Sequence, residues 1–230
     1  MNKLFACLVS ILLFLTITTS AFAEQNYQFP KPTNGEVMEA MQATVPVRFL
    51  PGNPLYFFIL AKEAVSRFFQ PSAVERSKFD FAVSGKRLKE TYLLLKKGDE
   101  KRANSNLKRY ANRNQNVISQ IEKSRSQNQA VEPTVSRMAD DLRVQEKLLF
   151  AIYDMRPQGN KDFDENFSKA VGSFKNLVLE IDSIDQGVKN RFEITKAVEA
   201  TNGASVTNEP SPEPTPTEAT STYTPRRIIY

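Results

Sequence analysis

Apolar residues recur at steps of three and four from about residue 53 to residue 197, and no stretch alternates between apolar and polar residues as a half-buried strand does. This spacing places the apolar side chains on one face of an α-helix. Turn signals divide the pattern at Gln70-Pro71, Gly98-Asp99, Glu132-Pro133 and Pro157–Gly159. The sequence therefore predicts an all-α fold, an antiparallel bundle of about five helices built from long helical hairpins.

The first predicted helix starts with the motif Pro51-Gly52-Asn53-Pro54-Leu55-Tyr56. Pro51-Gly52 is typical of a turn, Asn53 of an N-cap, and Pro54 of the first helical position. Apolar residues follow on most of the circumference, which predicts a helix buried on most sides. We interpret the motif as architecture rather than chemistry, with Tyr56 anchoring the helix to the bundle.

Three polar or small residues interrupt the apolar stripes of the later helices. Gly85, in the middle of the second predicted helix, indicates a close helix crossing because Gly there costs about 1 kcal/mol relative to Ala. Asn114 and Gln145 lie among core positions, where a polar residue commonly fixes helix register. In the fifth predicted helix the stripe runs from a cap at Asn160 to Val188, about seven turns.

Both ends of the chain differ from this pattern. Met1-Asn2-Lys3, an apolar run from Leu4 to Leu15 and a small-x-small ending at Ala21 and Ala23 predict a secretory signal in residues 1–23, cleaved after Ala23. Residues 24–49 are predicted to be a flexible leader with at most one helical turn, and residues 50–198 the helical domain. The Thr/Ser/Pro-rich tail, residues 199–230, is predicted to be disordered.

His and Cys, which serve as nucleophiles, bases and metal ligands in many enzymes, are nearly missing from the chain. The chain has no His, and its one Cys, Cys7, is expected to leave with the signal although Leu4-Phe5-Ala6-Cys7 faintly resembles a lipoprotein box. Nucleophile–histidine pairs are therefore excluded, and zinc has no usual ligands. We predict no metal, no cofactor and no catalytic residue.

Two clusters of carboxylates leave two further interpretations open, a weak calcium site and a hydrolase site. Asp162, Asp164 and Glu165 could hold calcium weakly, but they lack the twelve-residue calcium loop and are typical of a helix N-terminus. Asp140 and Asp141, with Glu146, form the other cluster. A hydrolase that uses two carboxylates is the least favoured functional reading.

Positive charge concentrates in the second and third predicted helices. Residues 84–125 contain twelve Lys or Arg and four Asp or Glu, whereas the chain after Arg125 is net negative. Most of these cations lie off the apolar stripe, which favours contact with an anionic partner, the alternative being a solvated basic face that keeps the protein soluble. The predicted binding residues are Lys86, Lys89, Lys96, Lys97, Lys101, Arg102, Lys108, Arg109 and Arg113.

The opening motif, then Glu63, Ala82 and the run Lys86-Arg87-Leu88-Lys89-Glu90, resembles an uncharacterised family of exported and membrane-anchored bacterial proteins. Its members open with a Pro-Gly-(Asp/Asn)-x-Leu-Tyr motif and continue with an Arg-Leu-x-Glu helix. The resemblance covers residues 50 to about 157. Asn53 stands where most members have Asp, and Ile59 where many have Lys. The resemblance implies an envelope-exposed helical domain and brings no known activity.

These observations predict an exported, non-catalytic binding or scaffold module, located extracellularly, at the cell surface or in the periplasm. Its expected partner is an anionic envelope polymer or a protein, reached through the basic hairpin, with peripheral contact to a membrane surface left open. Nucleic acid is disfavoured because Tyr92 and Tyr110 lie on the apolar stripe and are not available to stack on bases. The alternative is a periplasmic-type helical chaperone or stress sensor that binds apolar clients. The oligomeric state, and the role of the chain end Arg226-Arg227-Ile228-Ile229-Tyr230, stay open.

Overall fold

The computed structural model describes residues 28–196. This range contains the α-helices α1 (Asn34–Ala43), α2 (Tyr56–Phe68), α3 (Ala73–Lys96), α4 (Glu100–Ser126), α5 (Glu132–Asp154) and α6 (Lys161–Asp182), then a 3-10 helix, Val188–Arg191. A further helical turn begins at residue 193, and the described residues contain no strand. The predicted all-α class is confirmed. The predicted signal and tail, residues 1–23 and 199–230, lie outside the described residues.

Four long helices form the bundle. α3 packs against α4, α4 against α6, α6 against α5, and α5 against α3, so the four enclose one core. Leu107, Leu142, Phe174 and Leu177 are fully buried there. Predicted caps hold two of the turns: Asp99 accepts a hydrogen bond from Arg102 N–H at the start of α4, and Asn160 from Phe163 N–H at the start of α6. Short turns with capped ends favour antiparallel neighbours.

The polar residues predicted on core stripes join helices to one another. Gly85 of α3 faces α5, where an added Cβ would lie 3.6 Å from Gln145 Nε2. Gln145 donates to Ser84 Oγ at 3.3 Å, and the Tyr110 hydroxyl donates to Gln145 Oε1 at 3.1 Å. Asn114 of α4 donates to Ser173 Oγ of α6 at 3.2 Å. These residues therefore have structural partners within the bundle, as buried polar groups require.

The segment predicted as a flexible leader contains α1, which is ten residues long where we expected at most one turn. Thr33 and Glu36 form a capping box at its start, and Val37 and Ala40 are buried. Lys147 of α5 lies 3.6 Å from Glu39. The cap satisfies the first turn and the two apolar residues pack on the bundle, which together stabilise a short helix.

The prediction of seven turns for the last helix was wrong. α6 ends at Asp182, and the Asp182 carboxylate accepts from the N–H groups of Gly187 and Lys189. Gly187 has φ +92°, a left-handed conformation that favours glycine and reverses the chain. Val188 is buried although it lies beyond the helix, because the reversed chain returns to the core. Val188 therefore continues the apolar spacing of the sequence, but a turn rather than a longer helix brings it to the core.

Within residues 28–196, no helix is both long enough and apolar enough to cross a membrane.

Glu146 of α5 connects the last described residues to the bundle. Its carboxylate accepts a hydrogen bond from the N–H of Ile194 at 2.9 Å, and Ile194 is fully buried. Burial raises the pKa of Glu146 to about 7, although the hydrogen bonds from the backbone of Ile194 and Glu193 act to lower it. The folded protein therefore holds this proton more tightly than the unfolded chain does.

We expect Glu146→Gln to remove one source of pH dependence. A raised carboxyl pKa contributes stability that is present below the unfolded value of 4.5 and is lost as pH rises through about 7. Thermal unfolding measured from about pH 5 to pH 8 should show the wild-type melting temperature falling relative to that of the variant. The exposed Glu122→Gln is the control, and an identical pH profile for wild type and Glu146→Gln contradicts the assignment.

Candidate functional site

α2 is oriented with its apolar side toward solvent. Its buried residues are Tyr56 and Glu63, and Arg67 is half-buried on the same side. The prediction of a helix buried on most sides was therefore wrong. The exposed large side chains are Phe57 (69%), Phe58 (65%), Val65 (56%), Phe68 (78%) and Phe69 (73%).

The motif before α2 forms a turn instead of a helix cap. α2 begins at Tyr56, and Asn53 accepts hydrogen bonds from Leu55 N–H through its side chain and from Tyr56 N–H through its carbonyl, both at 2.9 Å. The predicted N-cap at Asn53 was wrong by two residues, because the chain makes one more turn through Pro54. Gly52 has φ +101°, and its Cα lies against the guanidinium of Arg102 in α4. The motif thus docks the start of α2 on the hairpin.

A buried cluster of charged residues holds the first half of α2 on α3. We call it the α2 anchor, and it consists of Tyr56, Glu63, Lys86, Arg87 and Glu90. Glu63 pairs with Lys86 at 2.6 Å and also with Arg87. Arg87 donates to Glu90 at 2.8 Å and to the Tyr56 hydroxyl at 2.6 Å, and that hydroxyl donates to Glu90 at 2.9 Å. Tyr56 thus links the start of α2 to α3.

A second buried cluster holds the other end of α2. Asp80 of α3 is fully buried, and both of its oxygens lie 2.9 Å from Arg67 Nε of α2. Arg113 of α4 donates to the same carboxylate at 2.6 Å. Asp80 thereby joins three helices at one point. α2 runs antiparallel to α3 and is held at both ends by charged pairs.

Two pKa shifts indicate what the α2 anchor can do. Burial, and then the negative charge of Glu90, raise the pKa of Tyr56 far above its usual value of 10.0. Burial by itself lowers the pKa of Arg87, but Glu90 and Glu63 outweigh it and the pKa is raised. At neutral pH Tyr56 keeps its proton and Arg87 its charge, so neither residue is a proton donor poised near neutrality, and both serve to position the helix.

Four of the nine predicted binding residues are engaged within the protein. Lys86 is buried in the α2 anchor, and Arg113 binds Asp80. Lys89 donates to the carbonyl of Met41 at the end of α1, and burial lowers its pKa. Arg102 pairs with Asp99. The prediction that Lys86 lies on an accessible surface was wrong, because sequence spacing does not show that Glu63 reaches it from a neighbouring helix.

The other predicted cations are exposed. Lys96 lies over the ring of Tyr92, 5.5 Å from its centroid. The remaining four form no ion pair with any residue in the range 28–196, and we call them the basic stripe: Lys97, Lys101, Lys108 and Arg109. Lys101 and Lys108 are seven residues apart in α4 and share a face. The stripe extends from the α3–α4 turn along α4.

Two cavities lie beside these elements. One of about 180 Å³ separates the Pro51-Gly52 turn from α4 and is lined by Tyr56, Arg102 and Arg109. The other, about 280 Å³, is a groove between the end of α1 and helices α3 and α5, and Lys78, Arg137, Asp141 and Gln145 line it.

Asp140 pairs with Arg191 outside the groove. No group of three potential metal ligands occurs among the described residues.

Sequence reasoning did not identify Glu63, Asp80 and Glu90 as the residues that organise this region. One signal was present: Tyr56, Glu63 and Arg67 recur at steps of seven and four, so they share a face of α2. The opposite face is apolar except for Lys62, and such a face normally packs inward. The spacing defined both faces correctly, but it did not show which of them the bundle would cover.

We expect Arg87→Met to destabilise the protein strongly. The change removes one of the two cations shared by the buried carboxylates of Glu63 and Glu90 and leaves only Lys86, and breaking buried pairs in this way costs about 3–5 kcal/mol. Urea denaturation gives the free energy of unfolding, and the exposed Arg143→Met is the control, with an expected change within about 0.5 kcal/mol. Equal small effects of both variants contradict the role of the α2 anchor.

The Pro51–Tyr56 motif and the two clusters that hold α2 lie within a segment that matches a known domain family. Residues 48–148 match the family model Domain of unknown function (DUF5667). No curated protein and no solved structure gives a match to the chain. The matched segment begins just before the Pro51–Tyr56 motif and contains both clusters that hold α2. This agrees with the resemblance to an uncharacterised domain family seen in the sequence.

Proposed function

We propose that this protein is an exported, non-catalytic binding module of the bacterial cell envelope, and that it contacts an anionic partner through the basic stripe. The observation that carries this proposal is the exposure of Lys97, Lys101, Lys108 and Arg109 without ion-pair partners among residues 28–196. Unpaired cations along one helix create a positive potential that attracts anionic surfaces and polymers. The signal segment predicted in residues 1–23 supports the envelope location.

The arrangement of the acidic residues supports binding rather than catalysis. Glu63, Glu90 and Asp80 are each engaged by Arg or Lys side chains in buried clusters. A carboxylate that works as a general acid or base must reach a substrate, and Glu90 and Asp80 are fully buried. The absence of His from the chain removes the most common alternative base.

A second candidate function is binding of apolar clients, as in a helical chaperone or stress sensor. The exposed apolar face of α2 favours it, because soluble monomers rarely expose so many large apolar side chains side by side. In this function the basic stripe would have no part in affinity. The two candidates therefore differ in their response to salt.

The first test measures binding of the predicted mature chain, residues 24–230, to purified cell envelopes across a salt series. We expect affinity to fall by roughly tenfold or more between about 50 and 500 mM salt, since contacts to anionic groups release counterions and are screened. Replacing Lys97, Lys101, Lys108 and Arg109 with Gln should abolish most of the binding at low salt.

A charge-matched control separates the basic stripe from net charge. It replaces four exposed cations elsewhere in the bundle with Gln: Lys123, Arg137, Arg143 and Lys161. This variant should retain most of the affinity. Binding that is insensitive to salt contradicts the proposal and favours the apolar-client function. Binding that falls equally in both variants also contradicts it, because net charge rather than the basic stripe then sets the affinity.

A further inference from the structure

The outward side of α2 forms a mostly apolar surface, which we call the aromatic face. Two rows of side chains run along it at helical spacing. Phenylalanines end each row, and the two pairs are eleven residues apart, or about 16 Å along the helix. The first row is Phe57, Ala61, Ala64 and Phe68, and the second is Phe58, Lys62, Val65 and Phe69.

The two buried clusters keep the aromatic face exposed. Turning α2 inward would move Glu63 and Arg67 into solvent and leave Arg87, Glu90 and Asp80 with fewer partners in a buried environment. Breaking buried charged pairs is costly, so the outward orientation is a stable property of the fold. The face therefore needs a partner that covers large apolar side chains without rearranging the helix.

Cations lie within the aromatic face and beside its N-terminal end, and its helix presents no exposed acid. Lys62 lies in the second row, and Glu63, the only acidic residue of α2, is buried. Arg102 lies against Gly52 at the start of α2, and Arg109 lines the cavity beneath Tyr56. Lys101 and Lys108 add further exposed positive charge on α4. An apolar surface with a cationic border matches the border between the headgroups and acyl chains of an anionic bilayer.

A second copy of the chain fits this surface less well. A two-fold dimer through the aromatic face would bring each cationic border against its own copy, and like charges across an interface oppose association. Anionic headgroups neutralise the same border. Lys and Arg side chains can also bury their aliphatic stems beside the rings while their charged ends remain in water.

We propose that the aromatic face of α2 inserts into the surface of an anionic lipid bilayer, with Lys62 and the basic stripe bound to headgroups. α2 is 13 residues long, about 20 Å, so it lies along the surface while the bundle remains in water. This inference rests on the proposed function, because it identifies the anionic partner as lipid.

The experiment uses the predicted mature chain and two kinds of vesicle, one of equal parts phosphatidylglycerol and phosphatidylcholine, the other of phosphatidylcholine alone. We expect co-sedimentation with the anionic vesicles and little with the neutral ones. The double variant Phe57→Ser with Phe68→Ser should bind the anionic vesicles roughly tenfold or more weakly, since each removes a large apolar side chain from the acyl region. Its control, Met38→Ser with Leu179→Ser, alters exposed apolar residues outside α2 and should bind as wild type does.

A fluorescence readout reports insertion directly, because the chain contains no Trp. Phe68→Trp should shift its emission to shorter wavelength on anionic vesicles and be quenched by lipids brominated on their acyl chains. Leu179→Trp should do neither. Absence of the shift and of quenching in Phe68→Trp overturns the inference.

The outcomes separate this inference from the proposed function. Salt-sensitive envelope binding that needs the basic stripe, combined with no vesicle binding, overturns the inference and leaves the proposed function standing. Vesicle binding that needs Phe57 and Phe68 but not the basic stripe, and is equal on neutral lipid, overturns the inference. It overturns the proposed function as well if envelope binding also survives loss of the basic stripe. Sedimentation velocity that shows a dimer in wild type and a monomer in the double Phe variant, with no effect of lipid, assigns the aromatic face to a second copy and also overturns the inference.

Discussion

The orientation of α2 depends on the buried pairing of Glu63 with Lys86 and Arg87. These charges, with Glu90, would be costly to leave unpaired inside the protein, whereas exposing a large apolar side chain forgoes about 1.5–3 kcal/mol of possible burial. The structure shows which requirement prevails, since the charged side of α2 is covered and its phenylalanines are exposed. Asp80, with Arg67 and Arg113, applies the same constraint at the other end. Hydrophobicity alone would have turned this helix around.

The four-helix core supplies the framework on which this arrangement rests. Lys86, Arg87 and Glu90 project from α3, and Asn106 of α4 donates to Glu90 at 3.0 Å, so both helices of the hairpin must pack in register before α2 can dock. Deeper in the bundle, Gln145 of α5 bonds both Tyr110 of α4 and Ser84 of α3, and these polar contacts help to fix the register of the hairpin. The long helices are therefore stabilised mainly by apolar packing, while the placement of α2 is decided by charge.

The same packing divides the cations of the hairpin by role. Lys86 and Arg113 stabilise the fold, whereas Lys97, Lys101, Lys108 and Arg109 remain in solvent. Among the exposed members Arg109 lies beside the start of α2, so positive charge and exposed aromatic rings meet at that point. The proposed binding function and the inferred contact with lipid both depend on this combination of exposed cations and exposed aromatic rings.

Helical periodicity by itself determined the fold class, the hairpin turns and most core positions, because the 3.6-residue repeat is a local property of the chain. It also marked Asp99 and Asn160 as caps and Tyr56 as an anchor. The end of α6 could not be read from it, since Val188 keeps the apolar spacing while the chain reverses at Gly187. The direction in which α2 faces was likewise undetermined. Both of its faces are regular, and the choice between them depends on Lys86 and Arg87, more than twenty residues away in sequence, which meet Glu63 only after the helices pack.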